Sequence, residues 1–147
     1  MRKLKVKCSK VPLLTVVRST QWKRRMAYIL VANKSFRYPS GLRSRIIYIG
    51  TTGEGARRPA TSAVDKATQA FSELRGVKTI EVHIATCRGR KGAKKVWQHL
   101  ETGLLRTFRK LHFDIPKYNK QKGSPKFVED KIFRQDALEK LILQFAD

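Results

Sequence analysis

Met26–Ala32 (M-A-Y-I-L-V-A) is a short, unbroken apolar run rich in β-formers, which predicts a strand buried on both faces. Ile46–Gly50 (I-I-Y-I-G) predicts a second strand, stopped by the turn chemistry of Gly50–Gly55, and the two pair most simply as an antiparallel hairpin. Between them, residues 33–45 mix Asn, Pro and Gly with four bases and read as a long loop. Pro59 suits the first turn of a helix, where its missing N–H costs nothing, and that helix runs to about Leu74 before Gly76. Val77–Cys87 alternates, with Ile80, Val82 and Ile84 on one face, and reads as a third strand. From Ala93 to about His112, residues Val96, Trp97, Leu100, Leu104, Leu105, Phe108 and Leu111 recur at helical spacing. A Pro/Gly/Lys-rich loop over 114–126 leads to a last helix, roughly Glu129–Phe145, packing Ile132, Phe133, Leu138, Leu141, Ile142 and Phe145. The patch Val11–Val17, which contains Pro12, reads as a sheet-edge strand. The order β-β-α-β-α-α with a small antiparallel sheet defines an α/β domain of the α+β kind. Residues 1–25 form a basic lead-in, 26–126 the core, and 127–147 a C-terminal packing segment.

Charge changes the picture. The chain of 147 residues holds 33 Lys and Arg against 11 Asp and Glu, a net +22. A compact domain tolerates such self-repulsion when a polyanion neutralises it, so nucleic acid is the leading partner. From Phe127 onward three bases meet five acids, so the whole positive excess lies before that point. No apolar stretch approaches membrane-spanning length, and Met1–Lys7 has charge without a signal-peptide core behind it. These features predict a cytoplasmic protein without a membrane partner. Cys8 and Cys87 stand far apart with no CxxC, and His83, His99 and His112 show no zinc spacing, which predicts reduced thiols and no zinc site.

One acid sits in the wrong place. Glu101 falls inside the apolar arc of its helix, with Trp97 and Leu105 one turn to either side and Phe108 beside it. A carboxylate there needs a partner. Two readings follow: a core salt bridge to an arginine, or a metal ligand or general base. So few acids argue against a two-metal nuclease of several clustered carboxylates, whereas one Mg²⁺ (or Mn²⁺) on one carboxylate fits.

Ala27-Tyr28-Ile29 on one strand and Tyr48-Ile49-Gly50 on the next resemble the paired motifs of the GIY-YIG nuclease family. The continuation Y-I-G-T-T-G-E-G-A-R-R places Arg57 and Arg58 nine and ten residues after Tyr48, where the family carries a catalytic arginine, with Arg58 favoured and Arg57 the alternative. Glu101 on a later helix and Asn119 in P-K-Y-N complete the resemblance, which spans Met26 to Asn119. The chain departs from the pattern in three ways. Met26 replaces the first-motif glycine, the connection between motifs is longer than usual, and Ser62 stands where some members have His or Lys one turn after the arginine.

The resemblance implies a three-stranded antiparallel sheet flanked by helices and metal-dependent hydrolysis of DNA phosphodiesters. It implies that Glu101 holds the metal and that Arg58 contacts a phosphate oxygen. Tyr48 would be the base, Tyr28 its hydrogen-bonded neighbour, and Asn119 would position the helix or the metal's waters. DNA would meet loops bounding the cleft: Lys34, Arg37, Arg43 and Arg45 between the tyrosine strands, then Arg88, Arg90, Lys91, Lys94 and Lys95 before the Glu101 helix. Lys117, Lys120, Lys122 and Lys126 would follow around the Asn loop. DNA is the first substrate and RNA the alternative, acted on by a monomer or homodimer. The competing reading is a non-catalytic basic nucleic-acid-binding protein, ribosomal or architectural in style, which has no need of Glu101.

Overall fold

The computed structural model describes residues 6–13, 15–17, 24–55, 57–87, 95–121, 123 and 132–147. Three strands, β1 (Met26–Arg37), β2 (Arg43–Thr52) and β3 (Ile80–Ala85), form one antiparallel sheet in the order β2-β1-β3. Three helices join them: α1 (Arg57–Glu73), α2 (Val96–His112) and α3 (Gln135–Leu143).

The apolar run of β1 is central and covered on both faces, with every residue from Met26 to Ala32 buried. Ala27, Ile29 and Val31 enter a core with Leu100, Leu104, Leu105 and Phe108 of α2 and with Leu138 and Ile142 of α3. Tyr28, Leu30 and Ala32 point the other way, into a smaller core under Ala63 and Ala70 of α1 and Leu74 just beyond it. The result is a sheet with α1 on one face and α2 and α3 on the other. Gly76, at φ +86°, ends the α1 region in the left-handed conformation that glycine adopts without a Cβ penalty.

The 33–45 loop is corrected. β1 continues to Arg37 and β2 begins at Arg43, leaving only residues 38–42 as the turn. Pro39 and Gly41 punctuate that tip alone, and Tyr38 N–H donates to the Leu42 carbonyl across it. Residues 11–13 and 15–17 form no strand, and Val11, Leu13, Val16 and Val17 are exposed. β3 is shorter than its alternation suggested, and Val82 on its apolar face is open to solvent because β3 is a sheet edge. Ile132, expected to pack, is 43% exposed. The last helix starts later than expected, since residues 132–134 are not helical and α3 begins at Gln135; residues 93 and 129 themselves lie outside the described residues.

Candidate active site

Tyr28 and Tyr48 face each other across the hairpin with ring centroids 6.0 Å apart. The pairing is regular here, Tyr28 with Gly50 and Leu30 with Tyr48, which sets both rings on one face, and a β-bulge begins just beyond Tyr48. Leu30 pairs with Tyr48 but Val31 pairs with Ile46, so Ile47 is the extra residue. The shift breaks the strict alternation of β2, and both Ile47 and Tyr48 pack on the α1 side. Gly50 lies opposite Tyr28 in the ladder. A Cβ at Gly50 would come within 2.6 Å of the Tyr28 ring and hydroxyl and 2.7 Å of the Tyr48 ring. The glycine is therefore the floor on which the two phenols converge.

Helix α1 brings three polar side chains to this pair at successive turns. Arg58 is close enough for its charge to act on both Tyr48 and Glu101. Ser62 Oγ lies 2.9 Å from the Tyr28 hydroxyl. Lys66, largely buried and 3.3 Å from Asp65, places its Nζ 5.6 Å from the centre of the Tyr48 ring. Arg57 is exposed, and its carbonyl accepts the Thr61 hydroxyl. Arg58 is exposed too, but of the two candidate arginines it is the one whose charge acts on Tyr48 and Glu101.

Glu101 is half-buried on α2. Burial pushes its carboxyl up to about 7, and the positive charge of Arg58 opposes that shift only in part. Among the described residues it has no ion pair within 4 Å, so the expected core salt bridge is absent there. Burial likewise drives Tyr48 up to about 12, with Tyr28 and then Glu101 adding to the shift and Arg58 working against it.

Asn119 has a different partner from the one expected. Its Oδ1 accepts the Ile49 N–H at 2.9 Å and its Nδ2 donates to the Ile49 carbonyl at 2.8 Å. Tyr118 N–H donates to the carbonyl of the bulged Ile47 at 2.9 Å. The segment thus pairs with the outer edge of β2 and holds the strand on either side of Tyr48, rather than positioning a helix.

The basic residues divide. Lys95 begins α2, six residues before Glu101, and Lys120 is exposed beside Asn119. Lys117 lies with its Nζ 5.2 Å from the Phe36 ring centre. Lys34, Arg37, Arg43 and Arg45 do not bound the site. They sit on strands toward the hairpin tip, and Lys34 is six residues from Tyr28, on the order of 20 Å along β1. Lys34 donates to the Arg75 carbonyl past the far end of α1, and Arg43 donates to the Ser35 hydroxyl and carbonyl. Arg88, Arg90, Lys91, Lys94, Lys122 and Lys126 lie outside the described residues. Trp97 is half-buried, with the Arg25 guanidinium 4.8 Å from its ring centre.

No group of three or more His, Cys, Asp or Glu side chains among the described residues is placed to hold a metal ion. Cys8 and Cys87 are free and exposed. No helix among the described residues is long and apolar enough to cross a membrane. No family model, curated protein or solved structure matches the chain.

Proposed function

We propose that this chain is a divalent-metal-dependent endonuclease that hydrolyses DNA phosphodiester bonds, as its resemblance to the GIY-YIG nucleases implies. The observation that carries the reading is Glu101. In a chain with three bases for every acid, a half-buried carboxylate without an ion pair among the described residues stays available as a ligand. Its oxygens suit a hard cation such as Mg²⁺, which accepts one carboxylate and fills its remaining positions with water and phosphate. A cation bound there would stabilise the charge growing on the phosphate and leaving oxygens.

The side chains around it have separable tasks. Arg58 offers planar N–H donors to a non-bridging phosphate oxygen. Arg57 and Arg58 stand at the positive end of the α1 dipole, a locally unfavourable place for cations that becomes favourable when an anion is bound. Tyr48 accepts the proton of the attacking water, and Tyr28 supports its hydroxyl. Asn119 keeps β2 in register beside them.

The test uses supercoiled plasmid incubated with the protein in Mg²⁺, with the protein in EDTA, and with the Glu101→Ala variant in Mg²⁺. Nicking or linearisation by the unaltered protein in Mg²⁺ alone is the expected result. Equal salt-sensitive binding in all three with no cutting of plasmid or of a four-way junction would favour the non-catalytic binder.

A further inference from the structure

Trp97 and Glu101 stand one turn apart on the same face of α2, and both are half-buried. The indole packs against the turn that follows β2, where a Cβ at Gly53 would meet its Cζ2 and Nε1 at 3.5 Å. Arg25, the residue before β1, rests its guanidinium over the same indole, 4.8 Å from the ring centre. The backbone around this contact is fixed. Gly55 N–H donates to the Arg24 carbonyl at 2.8 Å, and the Thr51 hydroxyl reaches the carbonyls of Met26 at 3.0 Å and Trp97 at 3.3 Å. These contacts gather the start of β1, the end of β2, the turn into α1 and the start of α2 at one end of the sheet. We propose that Arg25, held on Trp97, is a substrate-binding residue that grips a backbone phosphate of the DNA flanking the one that is cut. The inference rests on the hydrolase reading above.

Arg25 is a set of donors in want of an acceptor. It is exposed, and among the described residues its guanidinium meets neither a carboxylate nor a carbonyl. An ordinary surface arginine carries rotamer freedom that a bound phosphate must freeze. Stacking on the indole freezes much of it beforehand. It also engages the face of the guanidinium, which leaves the N–H groups at its edge open to a phosphate oxygen. The company Arg25 keeps points the same way. Arg24, Arg57 and Arg58 are exposed at this end of the sheet, and among the described residues none of them has an acid partner, Glu54 of the intervening turn included. Like charges gathered in one place repel, and a phosphate backbone laid across them relieves that repulsion. Position along α2 sets which phosphate is held. The four residues from Trp97 to Glu101 rise about 6 Å, while a duplex strand advances about 3.4 Å of axis per phosphate. A phosphate on Arg25 therefore lies within about two nucleotides of one held at Glu101.

Binding and cleavage are read separately. Binding of a labelled duplex oligonucleotide is measured in EDTA across a range of salt. Arg25→Ala should weaken it roughly 10-fold and reduce the slope of log K against log salt by about 1, the mark of one lost phosphate contact. Lys78→Ala removes an exposed charge at the opposite end of the sheet and should leave the slope unchanged. Trp97→Ala should weaken binding with the slope kept, because the charge remains but is no longer held, and Trp97→Phe should restore it. The double variant Arg25→Ala/Trp97→Ala should bind no worse than Arg25→Ala, since the ring acts through the arginine. In single-turnover cleavage of plasmid in Mg²⁺, Arg25→Ala should raise the half-saturating protein concentration by the same factor and change the maximal rate far less. An unchanged affinity and slope in Arg25→Ala, or an equal loss of slope in Lys78→Ala, overturns the contact and leaves the hydrolase standing. The expected loss of slope, with no cleavage of plasmid or junction by the unaltered protein, keeps Arg25 as a phosphate contact and overturns the hydrolase. An unchanged slope together with no cleavage overturns both.

Discussion

Gly50 stands directly opposite Tyr28 in the β1–β2 ladder, and the space a methyl group would need at Gly50 is filled by the Tyr28 ring and hydroxyl. Gly50 has no left-handed backbone to maintain, so its requirement is one of room. Gly50→Ala should push the two tyrosines apart and destabilise the fold by about 1–3 kcal/mol, as overpacking does in a close-packed interior. Urea denaturation reads the stability. Loss of cleavage beyond the loss of folded protein reads the displaced phenols. A variant as stable as the parent would show that the rings yield freely.

Glu101 makes the site costly to maintain. In the unfolded chain its carboxyl ionises near 4.5, while in the folded protein it holds its proton to about 7. Between those values the folded state binds more protons, so stability falls as pH rises through this window. The loss totals roughly 3 kcal/mol above pH 7. Glu101→Gln should therefore melt at a higher temperature than the parent at pH 8 and at a similar one at pH 4. It should also lose metal affinity and cleavage. Thermal melts at the two pH values, with Mg²⁺ titration by calorimetry, check both halves.

Asn119 supplies what a short piece of strand would supply, one acceptor and one donor to Ile49. Asn119→Ala should cost about 1–2 kcal/mol and speed amide hydrogen exchange at Ile49. Asn119→Asp should be worse, since it keeps the acceptor and sets a carboxylate against the Ile49 carbonyl. Exchange rates at Ile49 unchanged in both variants would show that β2 holds its place without the clip.

His112 is buried between the rings of Phe108 and Tyr38, at centroid distances of 4.2 and 5.1 Å, and neither ring nitrogen has a partner among the described residues. Burial pushes its pKa down. Below about 6.5 the unfolded chain takes up a proton that the folded chain resists, so His112 erodes stability as pH falls from there. His112→Leu should flatten this dependence and leave stability at pH 7.5 equal or higher. Denaturation midpoints at pH 5 and 7.5 measure the difference.

The elements with strong periodicity were legible in the sequence. The run at Met26–Ala32 and the spacing from Val96 to Leu111 announce a central strand and a core helix, because burial alone dictates both patterns. Glu101 was legible as an anomaly within the second. The hairpin extension was not: Lys34, Ser35, Phe36 and Arg37 pair with β2 without apolar alternation, and Asn33, which looked like a loop marker, binds the backbone at Lys78 and Thr79. The bulge at Ile47 was hidden for a related reason, since it breaks the alternation by which a strand face is read. Val11–Val17 erred the other way, because apolar character makes a strand only where another strand is there to pair. The contact of Ser62 with Tyr28 joins residues 34 positions apart, and nothing in the local pattern of α1 marks that face.

The clip on β2 also determines which side of the sheet another chain can join. Tyr118 and Asn119 occupy the outer backbone groups of Ile47 and Ile49, so that border is closed to a further strand. The opposite border, β3, is six residues long and is the open one among the described strands. It exposes Glu81 and His83, 2.9 Å apart, a polar pair that an incoming strand would have to dehydrate. The sheet is thus sealed beside Tyr48 and guarded by a polar pair where it is unsealed.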